Sequence, residues 1–213
     1  MPEESSLQSS NVLDEYSAQT IPVHVDLDVK QTVLELSEAE ALLRTARSIA
    51  LGPCTCRQTE QNCDAPIDTC LNLDATADLA VEEIEGFRYV NVEIALDVLR
   101  ASHKAGLVHL AFRRPGTKVT EFCSCCSCCC WFLTRLGKAA DPEALSPSTF
   151  VASHRVDRCI ACGACVSKCA FGAWQCPEEG AKPELDRSKC MGCGVCVTAC
   201  PSGAIAFDPR AKD

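Results

Sequence analysis

From Ile21 the chain alternates. Ile21, Val23, Val25, Leu27 and Val29 are apolar, and Pro22, His24, Asp26, Asp28 and Lys30 stand between them. A period of two lines one face of a strand, so this stretch predicts a half-buried strand. Ahead of it, residues 1–20 are polar and acidic without a period, which predicts a disordered tail. Ser37 and Glu40 have capping-box spacing, and Ala39, Leu42, Leu43, Ala46 and Ile49 recur at helical intervals. They predict a helix over residues 38–50, ended by Gly52-Pro53, with Cys54 and Cys56 on the loop beyond. A second helix is expected over residues 92–105, with Ile94, Leu96, Val98 and Leu99 inward and Gly106 as its stop. Leu107, Val108, Leu110 and Phe112 predict a short strand. Pro142 and Ser146-Pro147-Ser148 predict a linker over 138–150, dividing a domain at 21–137 from one at 151–213.

The second domain repeats itself. Residues 158–169 (Arg158 to Cys169) align with Lys189 to Cys200 at an offset of 31, and the match extends through Gly172/Gly203 and Ala173/Ala204. Two copies are too few for a solenoid, so a duplicated pair of metal sites is the better reading. In this register Trp174 aligns with Ile205 and Cys176 with Phe207, which predicts that Cys176 fills the core as a small hydrophobe.

Nineteen cysteines change the picture most. The count is odd and many are adjacent or one apart, which suits metal ligation better than strain-free disulfides. Residues 1–20 have no basic start or apolar run like that of a signal peptide, so a reducing cytoplasm is expected. No run of about 18 apolar residues predicts a membrane span. Residues 1–100 carry 6 basic and 19 acidic side chains, net −13, and the remainder +4. That balance argues against nucleic acid and favours charge steering of a protein redox partner. No phosphate-binding glycine loop, nicotinamide fingerprint or hydrolytic triad is present. His24, His103, His109 and His154 are scattered and predict no metal site.

Each repeat spaces its cysteines three, three and four residues apart: Cys159, Cys162, Cys165, Cys169 and Cys190, Cys193, Cys196, Cys200. Gly163 and Gly194 suit loops whose amides approach sulfur. This segment resembles the two-cluster bacterial ferredoxins. The resemblance implies crossed ligation, with Cys159, Cys162, Cys165 and Cys200 on one [4Fe–4S] cluster and Cys190, Cys193, Cys196 and Cys169 on the other. It departs once: Pro201 follows Cys200, but Ala170 follows Cys169.

Ten more cysteines precede the linker. Cys54, Cys56, Cys63 and Cys70 are spread, and six crowd into residues 123–130, of which Cys123, Cys125, Cys126, Cys128 and Cys129 are candidate ligands. They could hold at least one further iron–sulfur cluster, a zinc ion, or no metal. Arg57 is either a donor to a cluster sulfur or a surface arginine. Together with Ala105-Gly106-Leu107-Val108-His109 and the run ending in Cys130, these motifs resemble iron–sulfur proteins of anaerobic microbes that fuse a cysteine-rich domain to a two-cluster ferredoxin. The expected fold is α+β: an N-terminal cysteine-rich α/β domain, then a pseudo-twofold βαβ repeat. The expected function is electron transfer through two or more [4Fe–4S] clusters to a partner redox protein or oxidoreductase subunit. A small reductase with an N-terminal catalytic cluster, and a redox sensor or adaptor, are the alternatives.

Overall fold

A computed structural model describes residues 17–21, 40–113, 118–134 and 145–211. The alternating stretch beyond Ile21, with His24, and the capping serine Ser37 lie outside these residues.

Cysteine and leucine alternate along the central strands and give the N-terminal domain its two faces. Strand β1 (Ser17–Ile21), β2 (Ile49–Pro53), β3 (Asp68–Leu73), β4 (Arg88–Tyr89), β5 (Val108–Arg113), β6 (Val119–Cys125) and β7 (Leu145–Ser146) form one sheet in the order β4-β2-β3-β6-β5-β1-β7. All neighbours are antiparallel except β1 and β7. Leu71 of β3 pairs with Phe122 of β6, and Phe122 with Ala111 of β5. These three join Leu51, Leu73, Leu96 and Leu99 in one core. Burying each large apolar side chain there is worth about 1.5–3 kcal/mol. Their sequence neighbours Cys70, Cys123 and Cys125 therefore fall on the opposite face, because successive strand side chains alternate.

The helices are α1 (residues 40–45), α2 (Thr55–Glu60), α3 (Asp74–Glu83), α4 (Val92–Lys104) and α5 (residues 131–134); α1, α3 and α4 cover the leucine face, whereas α2 and α5 bring Cys56, Trp131 and Phe132 to the cysteine side. Asn91 caps α4 by accepting from the Ile94 amide at 2.9 Å, and Gly106 follows it at φ 87°.

The tail carries 3-10 turn 156–158, α6 (Ala164–Lys168) and α7 (Val195–Ala199). Two short antiparallel pairs flank them: β8 (Phe150–His154) with β11 (Ile205–Pro209), and β9 (Trp174–Gln175) with β10 (Glu184–Leu185). Gly163 and Gly194 precede the two helices at φ 70° and 82°.

Several expectations are corrected. Ser17–Ile21 is a strand on β5, not disordered tail. The first helix ends at residue 45, because Asp74 accepts from the Arg47 amide at 2.6 Å and receives Ser48 on its carbonyl, turning the chain into β2. Ile49 is thus a strand residue, and Cys54 caps α2 instead of following a helix. Ile94 is 45% exposed, since α4 buries Ala95, Leu96 and Leu99 instead. The expected linker is not detached where it is described: Leu145–Ser146 belongs to the large sheet, and Phe150 opens β8. Cys176 is exposed, because β9 ends at Gln175 and the chain turns away at Pro177 without continuing as β11 does.

The tail docks on the cysteine side of the sheet. Val108, Leu110, Cys125, Cys130, Leu133 and Leu145 share one apolar cluster with Cys193 and Val195. Ala170 is half-buried against the same cluster, in the place where the two-cluster ferredoxins usually carry proline.

Candidate metal centres

The tail cysteines gather into two cavities, and each draws on both repeats. One, with about 300 Å³ of empty space, is lined by Cys159, Cys162, Cys165 and Cys200. The other, about 330 Å³, is lined by Cys169, Cys190, Cys193 and Cys196. The exchange follows from the helices: α6 and α7 lie against each other, and each last cysteine leaves its helix toward the neighbouring repeat.

Backbone amides aim at the sulfurs. Ala173 N–H donates to Cys169 Sγ and Ala204 N–H to Cys200 Sγ, both at 3.3 Å, repeating the geometry 31 residues apart. Ala161 donates to Cys159 Sγ and Ala152 to Cys190 Sγ, both at 3.4 Å. Such donors favour a thiolate. Burial works against it, pushing the Cys165 thiol up to about 11 and Cys193 up to about 12. Bare, Cys165 and Cys193 would stay protonated; bound iron would supply the positive charge that lets them ionise.

The loop of Cys190 to Cys193 is pinned most firmly. Ser148 donates through Oγ to the Gly192 carbonyl at 3.0 Å, and its amide to the Met191 carbonyl at 3.0 Å. Arg210 donates to the carbonyls of Cys190, Ser148 and Phe150 at 2.5, 3.1 and 3.2 Å. Gly192 has φ 71°, and a Cβ there would strike Phe150 O and Ser148 Oγ.

In the N-terminal domain the ten cysteines separate into six and four. Cys54, Cys56, Cys70, Cys123, Cys125 and Cys130 line a cavity with about 850 Å³ of empty space, closed by Thr55, Phe112, Trp131 and Phe132. Their thiols form a chain of neighbours: Cys54 to Cys70, Cys70 to Cys123, Cys123 to Cys125, Cys125 to Cys130 and Cys130 to Cys56. Hydrogen bonds from Cys125 and Cys56 hold Cys130 down to about 3. Cys63, Cys126, Cys128 and Cys129 stand apart as a tighter group. Cys130, which is not among the candidate ligands named from the sequence, closes the crowded run and lies at the start of α5, where Thr134 N–H bonds back to its carbonyl.

Arg57 is buried at 1% exposure, which removes the surface reading. Its guanidinium donates to the carbonyls of Pro66 and Ser124, both at 2.9 Å, to Thr69 Oγ1, and to Cys126 Sγ at 3.8 Å. It thus stands between the two cysteine groups. His103 and His109 are also buried, stacked with ring centroids 5.6 Å apart. His109 Nδ1 meets Ser124 Oγ at 3.0 Å, and His103 Nε2 meets Thr198 Oγ1 of α7 at 2.9 Å. His103 joins the two domains through Thr198, His109 ties β5 to β6, and neither lines a cysteine cavity.

A family model described as a 4Fe-4S dicluster domain matches residues 158–204, which supports an iron–sulfur domain of ferredoxin type in the tail. No curated protein matches the chain. No helix among the described residues is long and apolar enough to cross a membrane.

Proposed function

We propose that the chain is an electron-transfer protein in which the tail holds two [4Fe–4S] clusters and the six-cysteine cavity of the N-terminal domain holds a further iron–sulfur centre. Bound clusters would supply reversible one-electron storage. Cys159, Cys162, Cys165 and Cys200 hold one, and Cys169, Cys190, Cys193 and Cys196 the other. The observation that carries the reading is the shared apolar cluster at the domain junction. It contains Cys193 from a tail cavity and Cys125 and Cys130 from the N-terminal cavity, with Val108, Leu110 and Val195 among them. Close packing at these apolar contacts keeps the two sites at a set separation.

The two tail sites differ in access, and this gives the relay a direction. Cys190, Cys193 and Cys196 are buried, whereas Cys162 is exposed on the far loop beside Ile160 and Val156, themselves 64% and 52% exposed. The partner redox protein meets that loop, and the electron path runs inward to the junction.

One observation favours the small-reductase alternative. The N-terminal cavity is more than twice as large as either tail cavity and offers six thiols where a cubane needs four. A larger centre with room for a substrate would use both.

The test is an iron count and a reductive titration of the anaerobically purified full chain. About twelve or more irons, and at least three reversible one-electron steps, are expected for three centres. Iron near eight with two steps would remove the N-terminal centre, and no reversible uptake would overturn the electron-transfer reading altogether.

A further inference from the structure

We propose that Cys63, Cys126, Cys128 and Cys129 form a separate site for one divalent ion, held by four thiolates in a tetrahedron. The distances decide it. Cys63 Sγ lies 3.7 Å from Cys126 Sγ and 3.9 Å from Cys129 Sγ, and Cys128 Sγ lies 3.8 Å from Cys129 Sγ. All four sulfurs fall within 4.8 Å of one another. Zinc–sulfur bonds of about 2.3 Å around a regular tetrahedron put the sulfurs about 3.8 Å apart. The four sulfurs therefore enclose space for one ion and for nothing larger.

A cubane makes the opposite demand. Its four thiolates bind four different irons and must stand further apart. No other group of three or more His, Cys, Asp or Glu among the described residues converges as tightly as this one. The tail cysteines, matched to a two-cluster domain, do not, and neither do the six of the larger cavity.

The surroundings are those of a tetrathiolate. Cys126 to Cys129 form a tight turn in which the Cys129 amide faces the Cys126 sulfur. The Asn62 amide faces the Cys129 sulfur, and Asn62 Nδ2 donates to the Cys128 carbonyl at 2.9 Å, clamping the loop that brings Cys63. Four thiolates around a divalent ion carry a net charge of −2. Arg57 touches Cys126 Sγ, and its other hydrogen bonds go to two carbonyls and a hydroxyl. Lys168 of the tail and Asp64 both line the cavity beside Cys63, Cys126 and Cys128 and oppose each other in charge, which leaves Arg57 as the cation against the sulfurs.

The site has a positional role. Cys125 and Cys130, which line the six-cysteine cavity, flank the 126–129 turn directly. An ion tying that turn to Cys63 would hold both in place without taking part in redox chemistry. Zinc, with no accessible second oxidation state, is the expected occupant.

The test uses the full chain, purified without oxygen from medium containing zinc and iron. Metal analysis should give one zinc per chain, and absorption at the zinc edge should show four sulfurs at about 2.3 Å with no metal neighbour. Cys63→Ser should abolish that zinc, or cut its sulfur shell to three, while the iron and EPR signals of the two tail sites stay unchanged. A single iron beyond a multiple of four, lost with the same variant, would support the geometry with a different ion. Should Cys63→Ser keep one zinc with a full four-sulfur shell, or the unmodified chain hold no mononuclear ion, the proposal fails. The edge spectrum needs no variant, so a misfolded Cys63→Ser protein does not rescue or sink it. The iron count of the other sites, tested above, stands or falls separately.

Discussion

Arg57→Met is the most informative perturbation of the N-terminal domain. Methionine follows the path of the arginine stem but makes none of its hydrogen bonds. Two buried acceptors, Ser124 O at 2.9 Å and Thr69 Oγ1, lose donors, and the part-buried Pro66 O loses one as well. An unsatisfied buried acceptor costs about 1–3 kcal/mol, so the two buried acceptors alone predict a loss of about 4 kcal/mol. For a chain of this size that lowers the melting temperature by about 8–16 °C. The thiolates also lose a cation. Burial pushes the Cys126 thiol up, and the Arg57 hydrogen bond, with neighbouring amide and thiol donors, more than reverses this.

The assay is an anaerobic thermal melt by circular dichroism, read beside metal content. Arg44→Met is the comparison, because Arg44 pairs with Glu40 and Glu93 in the open, at 50% exposure. An exposed pair is worth at most about 1 kcal/mol. Arg57→Lys should fall between, since an ammonium offers three donors but not the planar fork that spans these acceptors. If Arg57→Met melts within a few degrees of Arg44→Met, the hydrogen-bond accounting for this buried guanidinium is wrong.

Two further predictions concern the tail. Cys169→Ser should remove about four irons and the EPR signal of the site lined by Cys190, Cys193 and Cys196, sparing the one beside Cys159; loss of the other signal would break the crossed assignment. Gly192→Ala adds a methyl at φ 71° against Phe150 O and Ser148 Oγ, and the left-handed backbone alone costs about 1–2 kcal/mol. That variant should lose the same site's iron, whereas Ala161→Gly, at the equivalent repeat position with φ 55°, should keep all of it.

The tail motifs were readable because their information is local. Spacings of three, three and four, repeated 31 residues on, name the cysteines without reference to anything distant. The long helix at 92–104 was equally local, with its Asn91 cap and Gly106 stop. The repeat register misled at Cys176, because alignment with Phe207 assumed equal strands. β11 has a five-residue partner in β8, while β9 pairs for two residues only. Alternation in Thr69-Cys70-Leu71-Asn72-Leu73 and Phe122-Cys123-Ser124-Cys125 held the two-faced sheet in plain view. The cysteines obscure that pattern, because a residue that suits a metal ligand also serves as the apolar member of a strand's alternation. The division of ten thiols into six and four was beyond any local pattern. Cys63 meets Cys126 across 63 residues, and only the strand order brings those loops together.

The same strand order explains why the two halves do not behave as modules on a tether. A flexible linker would leave their encounter to effective concentration, which varies with linker length. Here Leu145 enters the large sheet through β1, and Ser148 bonds to the Met191 and Gly192 carbonyls a few residues later. The connection is therefore part of both structures. Val195, at 2% exposure, gains its burial among the side chains of β5 and α5. Separation would expose that side chain at a cost of about 1.5–3 kcal/mol, together with Val108 and Leu110 opposite. The residues that bury this interface include Cys193, Cys125 and Cys130, members of the two cavities that the proposed relay connects. Packing and the proposed electron transfer thus make the same demand on these positions: contacts that are apolar and fixed in distance.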